Sequence, residues 1–170
     1  MSGIVGNIEA KSGLLNRRHT FYVRMASNQE QSGGGDYKLN LDTITYDTSN
    51  IWDTTNKRMT SPVTGHWQFN FSMRPPEHQY WIVVSFKYNN AYINQGKCMV
   101  GANSDVNNTR DTLTLSPIIW MVAGSTLEVW WHPQVNSTVL STLGDGTSTS
   151  NSITWLNGYY LGNYGKGNPP

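Results

Sequence analysis

One stretch commits the chain to a sheet. After Met59-Thr60-Ser61-Pro62-Val63-Thr64 comes Gly65, and then Trp67, Phe69 and Phe71 alternate with His66, Gln68, Asn70 and Ser72. Proline cannot donate to a ladder and glycine permits a sharp turn, so the segment reads as a reversal feeding a strand. The period of two places three aromatic rings on one face and polar side chains on the other. Each ring buries roughly 150–250 Å², at roughly 25 cal/mol per Å². Such a face requires a second layer to cover it.

Composition agrees with a sheet protein. Charged residues make up only 14% of the 170, while seven Trp and nine Tyr stand among abundant Asn, Ser, Thr and Gly. That is a β-sandwich composition, and no window holds apolar residues at helical spacing over three turns. The length fits one domain. Twelve basic against eleven acidic residues give a net charge of +1, which predicts no electrostatic grip on nucleic acid or an acidic membrane. No run approaches the ~20 apolar residues of a membrane span. Cys98 is the sole cysteine, so no internal disulfide is expected. Met1 to Asn7 lacks an apolar export signal, so assembly in a cytoplasm is the expectation.

The chain divides into an arm at 1–18, a domain at 19–162 and a polar tail at 163–170. The arm carries two small apolar patches, Ile4-Val5 and Leu14-Leu15, followed by Arg17 and Arg18. It cannot offset its own ordering entropy without a partner. Strands are expected at 19–25, 38–46, 66–72, 79–88, 97–102, 112–115, 126–132 and 152–161. Gln29 to Asp36 reads as a glycine-rich loop, Asp47 to Lys57 as a turn-rich link, and Asn136 to Asn151 as a long loop. Eight or more short strands without a helix fit a two-sheet antiparallel jelly-roll sandwich.

Catalytic chemistry has no foothold in these residues. His19, His66, His78 and His132 show no metal-ligand spacing. There is no Gly-x-Ser-x-Gly elbow, and the glycines at 33–35 precede no Gly-Lys-Ser/Thr. Glu77 and Glu128 are the only acids singled out for glycoside cleavage, and neither has a patterned partner. The chain is read as a non-enzyme. Three Asn-x-Ser/Thr sequons are expected to be idle without secretion. Trp130-Trp131 carries more information: neighbours on a strand face opposite sides, so one ring leaves the core. With Trp52, Tyr88 and Tyr92 these rings form a candidate ligand surface, or else pack beneath a neighbouring loop.

The Met59–Phe71 stretch also resembles the signature of a particular trimeric jelly roll, that of the complement globular heads and tumour necrosis factors. An Asp-bearing strand and a Tyr-Asp pair precede the motif in that family; Leu41-Asp42-Thr43-Ile44 and Trp52-Asp53 stand in their places. Ser85 to Ile93, with its Asn pair, is similar to the strand that follows. So are Thr112-Leu113-Thr114-Leu115 and Ala123 to Trp130, although Ser125 stands where Asp is usual. Leu156-Asn157-Gly158-Tyr159-Tyr160-Leu161 resembles the closing strand. The pieces run in order from His19 to Leu161. The resemblance implies a homotrimer whose axis holds Gln68, Asn70, Thr114, Leu156 and Tyr160. Some relatives bind calcium near the trimer apex, and Asp105 and Asp145 are the loop acids to test for it. Gly144-Asp145-Gly146 lacks alternating oxygen ligands, so no cofactor is expected.

The opening Met-Ser-Gly-Ile-Val-Gly is similar to the start of short structural proteins of marine and cyanobacterial bacteriophages. Together the resemblances imply a trimeric virion knob that decorates or cements a capsid. The arm would dock it on the major capsid protein or another virion protein through Ile4, Val5, Leu14, Leu15, Arg17 and Arg18. The alternative is the receptor-binding tip of a tail or fibre, gripping host surface glycan with Trp52, Tyr88, Tyr92, Trp130 and Trp131. A cytokine-like or complement-like ligand fits less well, because neither an export signal nor a collagen stalk is read in the sequence.

Overall fold

A computed structural model of the chain describes residues 19–31, 34–73, 82–100, 113–133, 137–139 and 154–163. In chain order these form β1 (Thr20–Arg24), β2 (Gln29–Gln31), β3 (Tyr37–Lys38), β4 (Thr43–Asp47), β5 (Trp52–Asp53), β6 (Arg58–Thr60) and β7 (Gly65–Met73). There follow β8 (Ile82–Tyr88), β9 (Ala91–Val100), β10 (Leu113–Leu115), β11 (Ile118–Met121), β12 (Thr126–Pro133), β13 (Ser137–Val139) and β14 (Trp155–Gly162). No helix occurs among the described residues, and all the pairings are antiparallel. The fold is an all-β sandwich.

The first sheet runs β10-β7-β14-β1-β4, with β11 continuing the β10 edge along β7. The second runs β5-β6-β12-β8-β9, with β3 also pairing β12. Strand β7 is the spine of the first sheet, as its pattern predicted. Trp67, Phe69 and Phe71 are buried, while His66, Gln68 and Asn70 remain partly exposed. Gly65 starts β7 at φ +153°, and a Cβ there would meet the Tyr160 ring at 2.6 Å and the Gly162 carbonyl at 2.7 Å. Only glycine combines that dihedral with so close an approach.

The two inner faces interlock through rings. Phe69 and Phe71 each meet Phe86 edge-on, at 6.1 and 6.2 Å between centroids, and Phe21 stacks on Trp52 at 5.4 Å. Ile82, Val84 and Phe86 on β8 supply the opposing apolar row, with Leu127, Val129 and Trp131 from β12. Gly158 on β14 leaves room for this packing: a Cβ there would stand 2.5 Å from Phe21.

Several local expectations are corrected. Residues 38–46 do not form one strand. The chain breaks after β3, because the Leu41 amide donates to the Leu39 carbonyl at 3.0 Å in a tight turn that carries the chain from the second sheet to β4 in the first, and Asp42 Oδ1 accepts the Ala26 amide at 2.8 Å. Part of the Gln29–Asp36 loop is β2, which pairs with β13 from within the supposed 136–151 loop. The turn-rich link contains β5. Strand β9 begins at Ala91, well before residue 97, because Asn89 and Asn90 both take positive φ (47° and 67°) and reverse the chain tightly. Cys98 lies on β9 opposite Val84.

Candidate assembly face

The outer face of the first sheet is built in rows by strand register. Asn70, Asn157, Tyr22 and Tyr46 form one continuous row across β7, β14, β1 and β4. A flanking row reads Thr114, Ser72, Trp155, Arg24, Thr43, and on the other side lie Ile118, Gln68, Tyr159 and Thr20. The middle is a lattice of amides. Asn70 Nδ2 donates to Asn157 Oδ1 at 2.9 Å, and Gln68 Nε2 donates to the Ser116 carbonyl at 3.0 Å. These groups hold one another in place while keeping polar capacity for solvent.

Apolar side chains also stand on this face. Tyr22 stacks between Tyr46 at 5.9 Å and Trp155 at 5.6 Å, at the β4 edge. Burial raises the Tyr22 phenol above its ordinary value, partly offset by the Arg24 charge. At the β11 edge Ile118, Trp120 and Val122 alternate outward, and Trp120 meets His66 edge-on at 4.8 Å. Six large apolar side chains are exposed among the described residues: Tyr46, Ile118 and Tyr159 lie in the rows of this face and Val122 just beyond β11, whereas Ile44 pairs with the buried Val23 on the edge strand β4 and Tyr92 belongs to the second sheet. Their exposure ranges from 41% at Ile44 to 54% at Ile118.

The expected axis residues divide by strand parity. Gln68, Asn70 and Thr114 lie on this outer face. Leu156 and Tyr160 do not: Leu156 is wholly buried opposite Phe71, and Tyr160 packs on Trp67 with its hydroxyl donating to the Thr64 carbonyl at 3.1 Å. The outward residues of β14 are Trp155, Asn157 and Tyr159, one place out of step with the expectation. In the observed register Leu156 stands opposite Phe71 and Tyr160 opposite Trp67, so both share the inner face with those rings.

The outer face of the second sheet has a different character. Lys87 Nζ stands 3.4 Å from the Trp130 ring centre and 4.4 Å from that of Tyr92. Trp130 Nε1 donates to Glu128 Oε2 at 2.7 Å, and Lys38 Nζ binds Glu128 Oε1 at 2.5 Å. Asp36 accepts from the Tyr92 hydroxyl at 2.5 Å and lies 2.7 Å from His132 Nδ1. The hydrogen bonds from Tyr92 and His132 hold the Asp36 carboxyl below its usual range. Desolvation, then the Asp36 contact, raises the Tyr92 phenol far above its ordinary value. Among the described residues of this face, these charged and aromatic groups bind one another.

Of the expected ligand-surface rings, Trp52 and Trp131 are corrected to the core. Trp52 stacks on Phe21 and donates its indole N–H to the Leu41 carbonyl at 3.1 Å; Trp131 is buried against Tyr37. Trp130 is the member of its pair that leaves the core. Tyr88 packs partly against the core, and Tyr92 is 49% exposed. The arm residues Ile4, Val5, Leu14, Leu15, Arg17 and Arg18 lie outside the described residues, as do Glu77, His78, Asp105 and Asp145. Glu128 is buried, with one carboxylate oxygen on Lys38 and the other accepting from Trp130. Sequence reasoning missed the Tyr22–Tyr46–Trp155 stack, since those residues lie on three strands that only register aligns.

No protein-family model and no curated protein sequence matches the chain. Solved structures do. The Eiger TNF of S. frugiperda superposes with a TM-score of 0.64 at 11% identity, covering 90% of this chain and 97% of that one. Murine APRIL at pH 8.5 gives 0.59 at 11% identity, over 85% and 99%. The globular domain of zebrafish complement 1qA gives 0.53 at 11% identity, over 85% and 98%. The chain therefore has the jelly-roll fold that these proteins share.

Proposed function

We propose that this chain is a trimeric jelly-roll knob of a bacteriophage virion, which decorates or cements the capsid and is docked by residues 1–18. The observation that carries the assembly role is the concentration of exposed apolar side chains on one sheet face. On the opposite face the described charged and aromatic groups bind one another. Patches of that kind mark surfaces that meet protein. The virion setting rests on the likeness of the opening residues to phage structural proteins, and the anchoring role on the arm's paired apolar patches and Arg17-Arg18. The mechanism is mechanical. Each arm adds a modest contact, and three arms on one knob gain avidity through effective concentration.

The receptor-tip alternative draws less support from the aromatic surface. A sugar stacks on an open ring face, and Lys87 already occupies a face of Trp130. Trp52 and Trp131 are withdrawn into the core. The test offers full-length protein and a version lacking residues 1–18 to undecorated capsids and, separately, to host cells. Decoration predicts that only the full-length protein binds capsids and that neither binds cells. Binding of both forms to cells and of neither to capsids overturns it.

A further inference from the structure

The two ends of the sandwich differ. Strand direction and register gather the loops 48–51, 61–64, 89–90 and 122–125 at one end, beside the start of β1 and the finish of β14. Residue 19 enters the sandwich here: the Tyr160 amide donates to the His19 carbonyl at 3.0 Å. The segments that join Met73 to Ile82 and Val100 to Leu113 attach at the other end.

The four loops form one tied surface. They are short because the backbone reverses sharply, with Asn50, Asn89, Asn90 and Gly124 at φ between 47° and 82°. The Ser61 amide donates to the Ser125 carbonyl at 2.9 Å, and the Gly124 amide to the Ser61 carbonyl at 2.7 Å. The Ala123 amide donates to Thr64 Oγ1 at 3.0 Å, and Asn89 Oδ1 accepts the Thr126 amide at 2.8 Å. The Thr60 amide donates to the Ile51 carbonyl at 2.8 Å, which joins the remaining loop. Loops already fixed in this way have little ordering entropy left to lose on binding.

This end is also uncharged. The chain has 12 basic and 11 acidic residues, yet none lies in these four loops. Their exposed tips include Pro62, Asn89, Asn90, Val122, Ala123 and Gly124. Asp47, at the finish of β4, directs its carboxylate to the Ser49 and Trp52 amides at 3.1 and 2.8 Å. By contrast, the two segments attached at the other end hold Arg74, Glu77, Asp105, Arg110 and Asp111. Small, pre-set, uncharged groups suit the middle of a protein–protein contact, where charged side chains are depleted. Nucleic acid would call for Lys or Arg.

We infer that this end of the sandwich is a second docking surface, which seats on an uncharged protein surface beside the one that holds the arm. This rests on the arm-docking reading above and adds what the folded domain contributes. Leu15 precedes His19 by four residues, a reach of roughly 13–14 Å at most. An arm held through Leu14 and Leu15 therefore brings this end onto the same surface. The contact is weak by itself and operates at the effective concentration that the arm creates.

The test offers full-length protein to undecorated capsids. One variant carries Pro62→Glu and Ala123→Glu at this end, and a matched variant carries Ala26→Glu and Ser27→Glu between β1 and β2 at the other. All four positions are exposed. Thermal unfolding and sedimentation check that both variants keep the parent's fold and assembly. Docking predicts that the first variant binds capsids at least about tenfold more weakly while the matched one stays within about twofold of the parent. A second measurement avoids the added charges: a benzophenone maleimide is placed on Ala123→Cys or Ser27→Cys in a Cys98→Ser background. Illumination on capsids should cross-link the first to a capsid protein and not the second. Parent-like binding by both charged variants, with no cross-link from Ala123→Cys, overturns the second surface and leaves arm docking standing. Equal weakening of both shows a general effect of charge and also overturns it. A parent protein that does not bind capsids overturns the arm-docking reading, and this inference falls with it.

Discussion

At the scale of single residues, adjacent side chains of the same type have opposite roles. Trp131 is buried in the sandwich and Trp130 lies outside, under Lys87. Trp131→Ala should cost about 3–5 kcal/mol in folding stability, and Trp130→Ala much less, because it removes only a half-exposed ring. Urea denaturation of the two variants checks this, and equal losses would contradict the placement. Asp36 offers a second test. Its carboxyl is depressed in the folded state by hydrogen bonds from Tyr92 and His132. Its contribution is therefore present above the ordinary carboxylate value of 3.8 and is lost as pH falls through the lower folded value. Tyr92 acts in the opposite sense. With its phenol raised from 10.0, its contribution is complete below that pH and is lost as pH climbs past it. Asp36→Asn should flatten the acid limb of a stability-against-pH curve, and Tyr92→Phe the alkaline limb.

At the scale of elements, the tight reversal between β8 and β9 is set by two asparagines. Asn89 and Asn90 both occupy positive φ, and Asn89 Oδ1 accepts the Thr126 amide at 2.8 Å, tying the hairpin to the start of β12. Asn89→Ala loses both the tolerance for that backbone and the bond, and should destabilise by about 1–3 kcal/mol. Asn90→Gly keeps the turn and should be nearly neutral, which thermal unfolding of the pair would show. On β14, Gly158 packs against Phe21 and Phe69. Gly158→Ala forces a methyl group into that contact and should cost about 1–3 kcal/mol. A stabilised Gly158→Ala variant would mean the two layers are less tightly packed there than their geometry indicates.

At the scale of the whole molecule, the two outer faces are unlike. One is held by its own ion pair, cation–π contacts and hydrogen bonds; the other leaves apolar side chains exposed. Burying such side chains between copies adds apolar area at the usual coefficient, so the assembly should be more stable than its protomer. Thermal unfolding should thus shift upward with protein concentration. Removing residues 1–18 should leave this shift in place, since the described sandwich begins at His19 with its ring nitrogen 2.8 Å from Ser49 Oγ. A truncated chain whose unfolding no longer depends on concentration would move the assembly contacts into the arm.

The sequence alone determined the layer architecture, because a period of two with large rings on one face has no stable outcome except a covered sheet. It also located the turn at Gly65, the burial of Trp67, Phe69 and Phe71, and the order of the main strands. Register was beyond its reach. Whether Leu156 or Asn157 faces outward depends on which β7 residue stands opposite, and a slip of one residue exchanges every side chain between faces. The same limit hid which of Trp130 and Trp131 is buried, and it hid β2 and β13, whose short polar runs carry no periodic signal. The aromatic stack of Tyr22, Tyr46 and Trp155 and the amide pair of Asn70 and Asn157 exist only because distant segments are laid side by side. Local patterning is a property of consecutive residues, so it specified the strands; the candidate site is a property of neighbours across strands, and only the tertiary structure decided those.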